Sequence, residues 1–144
     1  MSLRVEIAEA VTEELNATEF SLPFTAARYR VLSWSPEDLA ELRVAVFPSS
    51  YASQHASRRH AERRVTVEIA VQKHLRSVDS AAVDPLADLA EEIASHFEAF
   101  PRLAGCCKAV LDTVENDPPY YMAHLNQKSV FTSVITLTFR VLEG

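Results

Sequence analysis

The sequence predicts an α+β fold: a five-stranded sheet, mostly antiparallel or mixed, with two main helices packed on one face. Three observations predict it. Apolar residues recur at helical spacing over 3 to 16 and again over 84 to 100. Apolar residues recur at every second position over 65 to 71 and, Ser133 apart, over 131 to 141, as in half-buried strands. The two kinds of segment follow each other without an internal repeat or a linker, which predicts one domain spanning residues 1 to 144.

In the first element Ile7, Ala8, Val11 and Leu15 form an apolar stripe, with Glu6, Glu9, Glu13 and Glu14 on the remaining surface. Asn16 tolerates the left-handed conformation that ends helices, so it is the expected stop. Phe20, Leu22, Phe24 and Ala26 then alternate with Ser21, Pro23 and Thr25, and Tyr29 and Val31 continue on the opposite parity. This predicts a strand with a bulge near Ala27, and Pro23, lacking an amide hydrogen, predicts that it lies at an edge. Ser35-Pro36-Glu37-Asp38 supplies an N-cap, a proline and two acids, the makings of one helical turn. Leu42, Val44 and Val46 mark a second strand, closed by Pro48.

Val65, Val67, Ile69 and Val71 give the clearest strand of the chain. Counted from Arg64 to Leu75 it would reach roughly 40 Å, about twice a typical strand, and so extend beyond its own core. The second helix takes Asp84 as N-cap and Pro85 as first residue, buries Leu86, Leu89, Ala90, Ile93, Phe97 and Phe100, and ends before Pro101. Two further strands, 106 to 114 and 129 to 142, flank the turn Asn116-Asp117-Pro118-Pro119 and the segment Tyr120 to Leu125. One face of the sheet is expected to be covered by the helices.

Composition narrows the function. Of the 144 residues, 48% are apolar and 24% charged, enough for a self-sufficient core. A net charge of −6 argues against a general nucleic-acid binder, which needs an excess of cations to displace phosphate counterions. Cys106 and Cys107 are neighbours on a predicted strand and point to opposite faces, so no disulfide framework is expected. The acids at Glu6, Glu9, Glu13 and Glu14 interrupt any signal-like apolar run, and no segment is apolar for long enough to span a bilayer. A cytoplasmic origin is the expectation.

Motifs for chemistry are lacking. Gly105 and Gly144 are the only glycines, whereas a phosphate-binding loop, a dinucleotide fingerprint or a nucleophile elbow each needs several. His55, His60 and Glu62 match no ligand spacing for a metal, and Cys106-Cys107 has no local feature that would activate a thiol. His96 borders the buried face of its helix, where a structural role is expected. The adjacent pairs Glu13-Glu14 and Glu91-Glu92 diverge around their helices and read as solvated faces, or as complements to a neighbour's basic loop. No catalytic, cofactor or metal site is expected.

One segment stands apart. Between Pro48 and Arg64 runs a polar stretch carrying Arg58, Arg59, Arg63 and Arg64, read as a flexible loop at 48 to 64. Loops of this length carry function or order on binding. Its arginines are weighed as a solvated tip, as a dock for an acidic protein surface, or, less well supported in an acidic chain, as a nucleic-acid contact.

The opening helix through Leu15-Asn16, the Phe20 to Arg30 strand, Ser35-Pro36-Glu37-Asp38-Leu39 with Leu42-Arg43-Val44-Ala45-Val46, and the closing Ser129-Val130-Phe131-Thr132-Ser133-Val134-Ile135 together resemble the tail terminator, or tail completion, proteins of long-tailed bacteriophages. The resemblance covers most of the chain in element order. It implies a structural virion protein of the tail and neck, assembled in the host cytoplasm. Such a subunit closes into a homo-oligomeric ring, typically of six, caps the tail tube protein, and meets the head-side connector or adaptor, with genome DNA passing through its bore. Arg58, Arg59, Arg63 and Arg64 would then dock onto the tube or an adjacent subunit, and Phe20, Leu22 and Phe24 would lie at a subunit contact. Head completion or adaptor proteins of the neck share this size and texture and form the alternative, with a small ligand-binding α+β domain behind them.

Overall fold

The computed structural model describes residues 2–28, 40–55, 61–103 and 109–143. The elements run α1 (Leu3–Ala17), β1 (Ala26–Arg28), β2 (Arg43–His55), β3 (Ala61–His74), α2 (Ser80–Ala99), β4 (Ala109–Glu115), α3 (Met122–Lys128) and β5 (Val130–Glu143). The predicted turn at Ser35 to Asp38, the continuation at Tyr29 and Val31, and Cys106-Cys107 lie outside the described residues.

The strands form one mixed sheet in the order β1-β2-β3-β5-β4. Among the described residues only β1 is parallel to its neighbour; the β2–β3, β3–β5 and β5–β4 pairs are antiparallel. The α+β class and the mostly antiparallel sheet therefore stand. β3 sits at the centre, paired along its whole length with β5 from Ala61↔Glu143 to His74↔Val130. α1 packs on β1, β2 and β3, and α2 on β5 and β4. One cluster of buried side chains joins them, including Ile7, Val11 and Leu15 of α1, Val67 and Ile69 of β3, Leu89, Ile93 and Phe97 of α2, and Phe131 and Phe139 of β5.

Local chemistry explains the helix ends. Ser2 caps α1, its hydroxyl accepting from the Val5 amide at 3.3 Å. α1 ends at Ala17 with Thr18 extended, and Asn16 is not the left-handed stop. α2 starts a turn earlier than its sequence suggests: Asp79, not Asp84, is the N-cap, with its carboxylate accepting from the Ala82 amide at 3.0 Å. Pro85 therefore lies inside the helix, where it leaves the Ala81 carbonyl without its usual donor. Phe100 is 59% exposed as the C-cap residue, not part of the buried stripe.

Three further departures concern the strands. The polar stretch expected as a loop at 48 to 64 is strand at both of its ends: β2 continues through a register shift at Pro48/Ser50 to His55, and β3 begins at Ala61, while residues 56 to 60 lie outside the described residues. Its backbone is held by ladder bonds, which ask nothing of side-chain polarity. The segment Tyr120 to Leu125 contains the start of α3, anchored by buried Leu125 and closed by Ser129 in the left-handed conformation. The face of the sheet away from the helices is also buried at its centre, at Ala45, Ala70, Gln72 and Thr132, so the expectation of a single covered face needs amending. There the Gln72 amide donates to Thr132 Oγ1 at 3.2 Å.

Candidate docking surfaces

The first surface is the far end of the β2–β3 hairpin. β2 and β3 stay paired to His55↔Ala61, and Arg58, Arg59 and His60 lie outside the described residues. Arg63 and Arg64 are in β3, on opposite faces of the strand. Arg63 takes the parity of the core residues Val65 and Val67.

Arg64 is committed within the fold. The β4–β5 pairing slips between Leu111 and Thr113, and this irregularity frees Asp112 to reach across to Arg64 Nη1 at 2.5 Å. Glu62 Oε1 lies 3.6 Å from both Arg64 Nη2 and Arg140 Nε, forming ion pairs with the two arginines. Two cations and two carboxylates thus form a near-neutral cluster over β3, β5 and β4. Of the four predicted docking arginines, Arg64 serves first as a staple between strands, and the structure does not gather the four in one uncommitted loop.

The second surface lies beside α2. Residues 20 to 25 have no place in the sheet, so the strand expected over Phe20 to Arg30 shrinks to Ala26–Arg28 within the described residues. Its alternation is nonetheless real: Phe20, Leu22 and Phe24 are half-buried while Ser21, Pro23 and Thr25 are exposed. The segment is extended and laid against the core, with side-chain partners in place of ladder bonds. The Ser21 amide donates to Glu92 at 3.2 Å, and the Ser21 hydroxyl also donates to that carboxylate. Phe20 and Phe24 stack with centroids 5.6 Å apart, and the edge of Phe20 meets His96 at 5.7 Å.

His96 ties the three pieces together. Its Nε2 lies 2.8 Å from Glu14 Oε1 of α1, and its ring also contacts Phe97 and Phe100. The structural role expected of it is what the geometry shows. One member of each acid pair is engaged in the same way, Glu14 with His96 and Glu92 with Ser21, while Glu13 and Glu91 stay exposed. Asn16 adds a link that its sequence position did not advertise: its side chain accepts from the Ala26 amide at 2.8 Å and donates to the Ala26 carbonyl at 3.0 Å. An asparagine facing an edge strand can mimic a strand's backbone, and that pairing sets where β1 begins.

Between residues 18 to 22 and α2 opens a groove of about 890 Å³. Phe20, Leu22 and Pro85 give it an apolar side, and Glu19, Asp88 and Glu91 line it with carboxylates. Among the described residues no Lys or Arg borders it, and no ion pair involves Asp88 or Glu91. Among the described residues no group of three or more His, Cys, Asp or Glu is arranged to hold a metal ion. No helix of the described residues is long and apolar enough to cross a membrane.

No protein-family model matches this chain, and no curated protein matches it. Solved structures do: 26 chains match. One, a protein whose name states no activity, is 19% identical, with a TM-score of 0.51 over 96% of this chain and 92% of its own. At that identity the likeness speaks for the fold alone, and the chain shares its architecture along nearly its entire length.

Proposed function

We propose that this protein is a structural subunit of a phage tail, a ring-forming terminator that caps the tail tube and joins it to the head-side connector. The observation that carries the reading is a division of charge between two surfaces on different elements. The sequence between β2 and β3 holds Arg58 and Arg59, while Glu19, Asp88 and Glu91 line the groove beside α2 with no Lys or Arg bordering it among the described residues. Ring closure needs two unlike faces that fit each other, and opposite charge sets their register. The polar, exposed run Ser49 to Ser53 of β2 supports the same reading, since a strand that buries so little there is length spent outside the core. The resemblance to tail terminators in element order supplies the specific role; a neck adaptor is the second reading, favoured by the same ring geometry.

The function so proposed is one of assembly and needs no catalytic residue or cofactor. Negative-stain microscopy combined with light-scattering mass tests it. Annular particles of several subunits are expected, and they should bind the open end of purified tail tubes. Replacing Arg58 and Arg59 by Ser should leave folding intact and block that joining; tail joining at the wild-type level by this variant would refute the role given to the hairpin.

A further inference from the structure

We infer that Phe100 and Arg102 of one copy of this chain dock into the hollow between the start of α2 and α3 of a second copy. The contact rests on the ring reading above and supplies that assembly with an apolar anchor. Phe100 and Met122 are the most exposed large apolar side chains among the described residues, at 59% and 56%. They stand at opposite ends of the molecule. Phe100 caps α2, and Arg102 bridges to Val110, which is level with Arg140 and Arg64. Met122 opens α3, where the Tyr121 amide donates to the Thr132 carbonyl at 2.9 Å, level with Gln72. From Arg64 to Gln72 the strand runs about 27 Å, and α2, 20 residues long, spans about 30 Å between the same two ends. One chain cannot bring the two together, whereas a neighbour can.

They fit in shape and in charge. The hollow, of about 120 Å³, is walled by Val78, Val83, Tyr120, Met122 and Leu125, with Asp84 beside them. Its size suits one aromatic side chain, since an apolar cavity of about 150 Å³ admits benzene. Phe100 is already positioned by the His96 ring at 5.0 Å, itself fixed by Glu14, so little order has to be created on contact. Arg102 and Asp84 are exposed, and among the described residues no ion pair involves either. A cation two residues from the knob meeting a carboxylate at the hollow fixes the register of the contact. A single phenyl group buries too little to hold an assembly by itself, so opposite charges keep a share of the affinity. Knob and hollow are different surfaces, so the contact is head-to-tail and propagates around a ring.

Sedimentation velocity on single-face variants, with circular dichroism to check folding, tests the contact. Phe100→Ser spoils the knob and Met122→Asp the hollow; both positions are exposed, so both chains should fold, with assembly weakened on the order of tenfold or more. An equimolar mixture, at a concentration where each variant alone is monomeric, should give a species of two chains and nothing larger, because the intact knob of one fills the intact hollow of the other and the remaining faces are spoiled. A mixture that stays monomeric or grows beyond two chains would overturn the pairing. Charge exchange checks the register: Arg102→Asp and Asp84→Arg should each weaken assembly, and the chain carrying both should regain the wild-type mass. A wild-type oligomer whose mass none of these substitutions alters would overturn this contact and leave the ring standing. A wild-type chain that stays monomeric up to millimolar concentration would overturn both. Loss of tail joining with the oligomer intact would give the hollow to another protein and equally refute the inference.

Discussion

Asn16 shows how one side chain can be read for the wrong property. Its tolerance of left-handed backbone suggests a helix stop, yet it lies within α1 and spends its amide on the backbone of Ala26. Sequence could not reveal this, because the partner is ten residues away and contributes only main-chain atoms. Asn16→Ala should cost about 1 to 2 kcal/mol, the worth of two hydrogen bonds lost together, read as a lower urea midpoint. Hydrogen exchange should quicken at Ala26 to Arg28 more than in α2, which a general loss of stability would not produce. Asn16→Asp is the sharper comparison: it keeps an acceptor for the Ala26 amide but sets a carboxylate against the Ala26 carbonyl, and should destabilise at least as much. The histidine was more legible, since a ring at the border of an apolar stripe has few roles other than the link His96 makes to Glu14.

Elements were legible where burial wrote the pattern and obscure where the backbone alone held the chain. Alternation at Val65 to Val71 and at Phe131 to Val141 gives true strands, because one face of each is packed against helices. The same alternation at Phe20 to Thr25 gives no strand; period two reports an extended chain beside a core, and Pro23 and the Ser21–Glu92 bonds leave no ladder to join. The reverse error occurs at Ser49 to His55, where both faces are polar and the strand exists because β3, itself pinned by β5, offers a partner. α3 is short and buries only Leu125, too little to register as periodicity. The start of α2 depends on a choice between two aspartates, and the hydrogen bond from the Ala82 amide decides for Asp79. Asp79→Ala should therefore cost about 1 kcal/mol of stability. Asp84→Ala, at an exposed position inside the helix, should stay within about 0.5 kcal/mol, so paired urea titrations separate the two starts.

At the scale of the whole molecule, the class and the roles of the two long helices followed from sequence, whereas strand order did not. Nothing in residue pattern says that β5 enters between β3 and β4, or that β1 is parallel. The core so built is apolar and salt should touch it little: Ile69→Ala, fully buried in the central strand, should cost about 2 to 5 kcal/mol at any ionic strength. The partly exposed pair of Arg64 and Asp112 adds at most about 1 kcal/mol. Assembly should behave in the opposite way, because ring closure as proposed joins faces of opposite charge at the surface. Screening shortens from about 10 Å at 0.1 M salt to about 3 Å at 1 M. The mass measured by light scattering should therefore fall as sodium chloride rises over that range, while the circular dichroism and the urea midpoint hold nearly constant. An oligomer dominated by apolar burial would do the reverse, keeping or gaining mass as salt strengthens exclusion from water, and such a result would move the subunit contact from charged faces to an apolar surface.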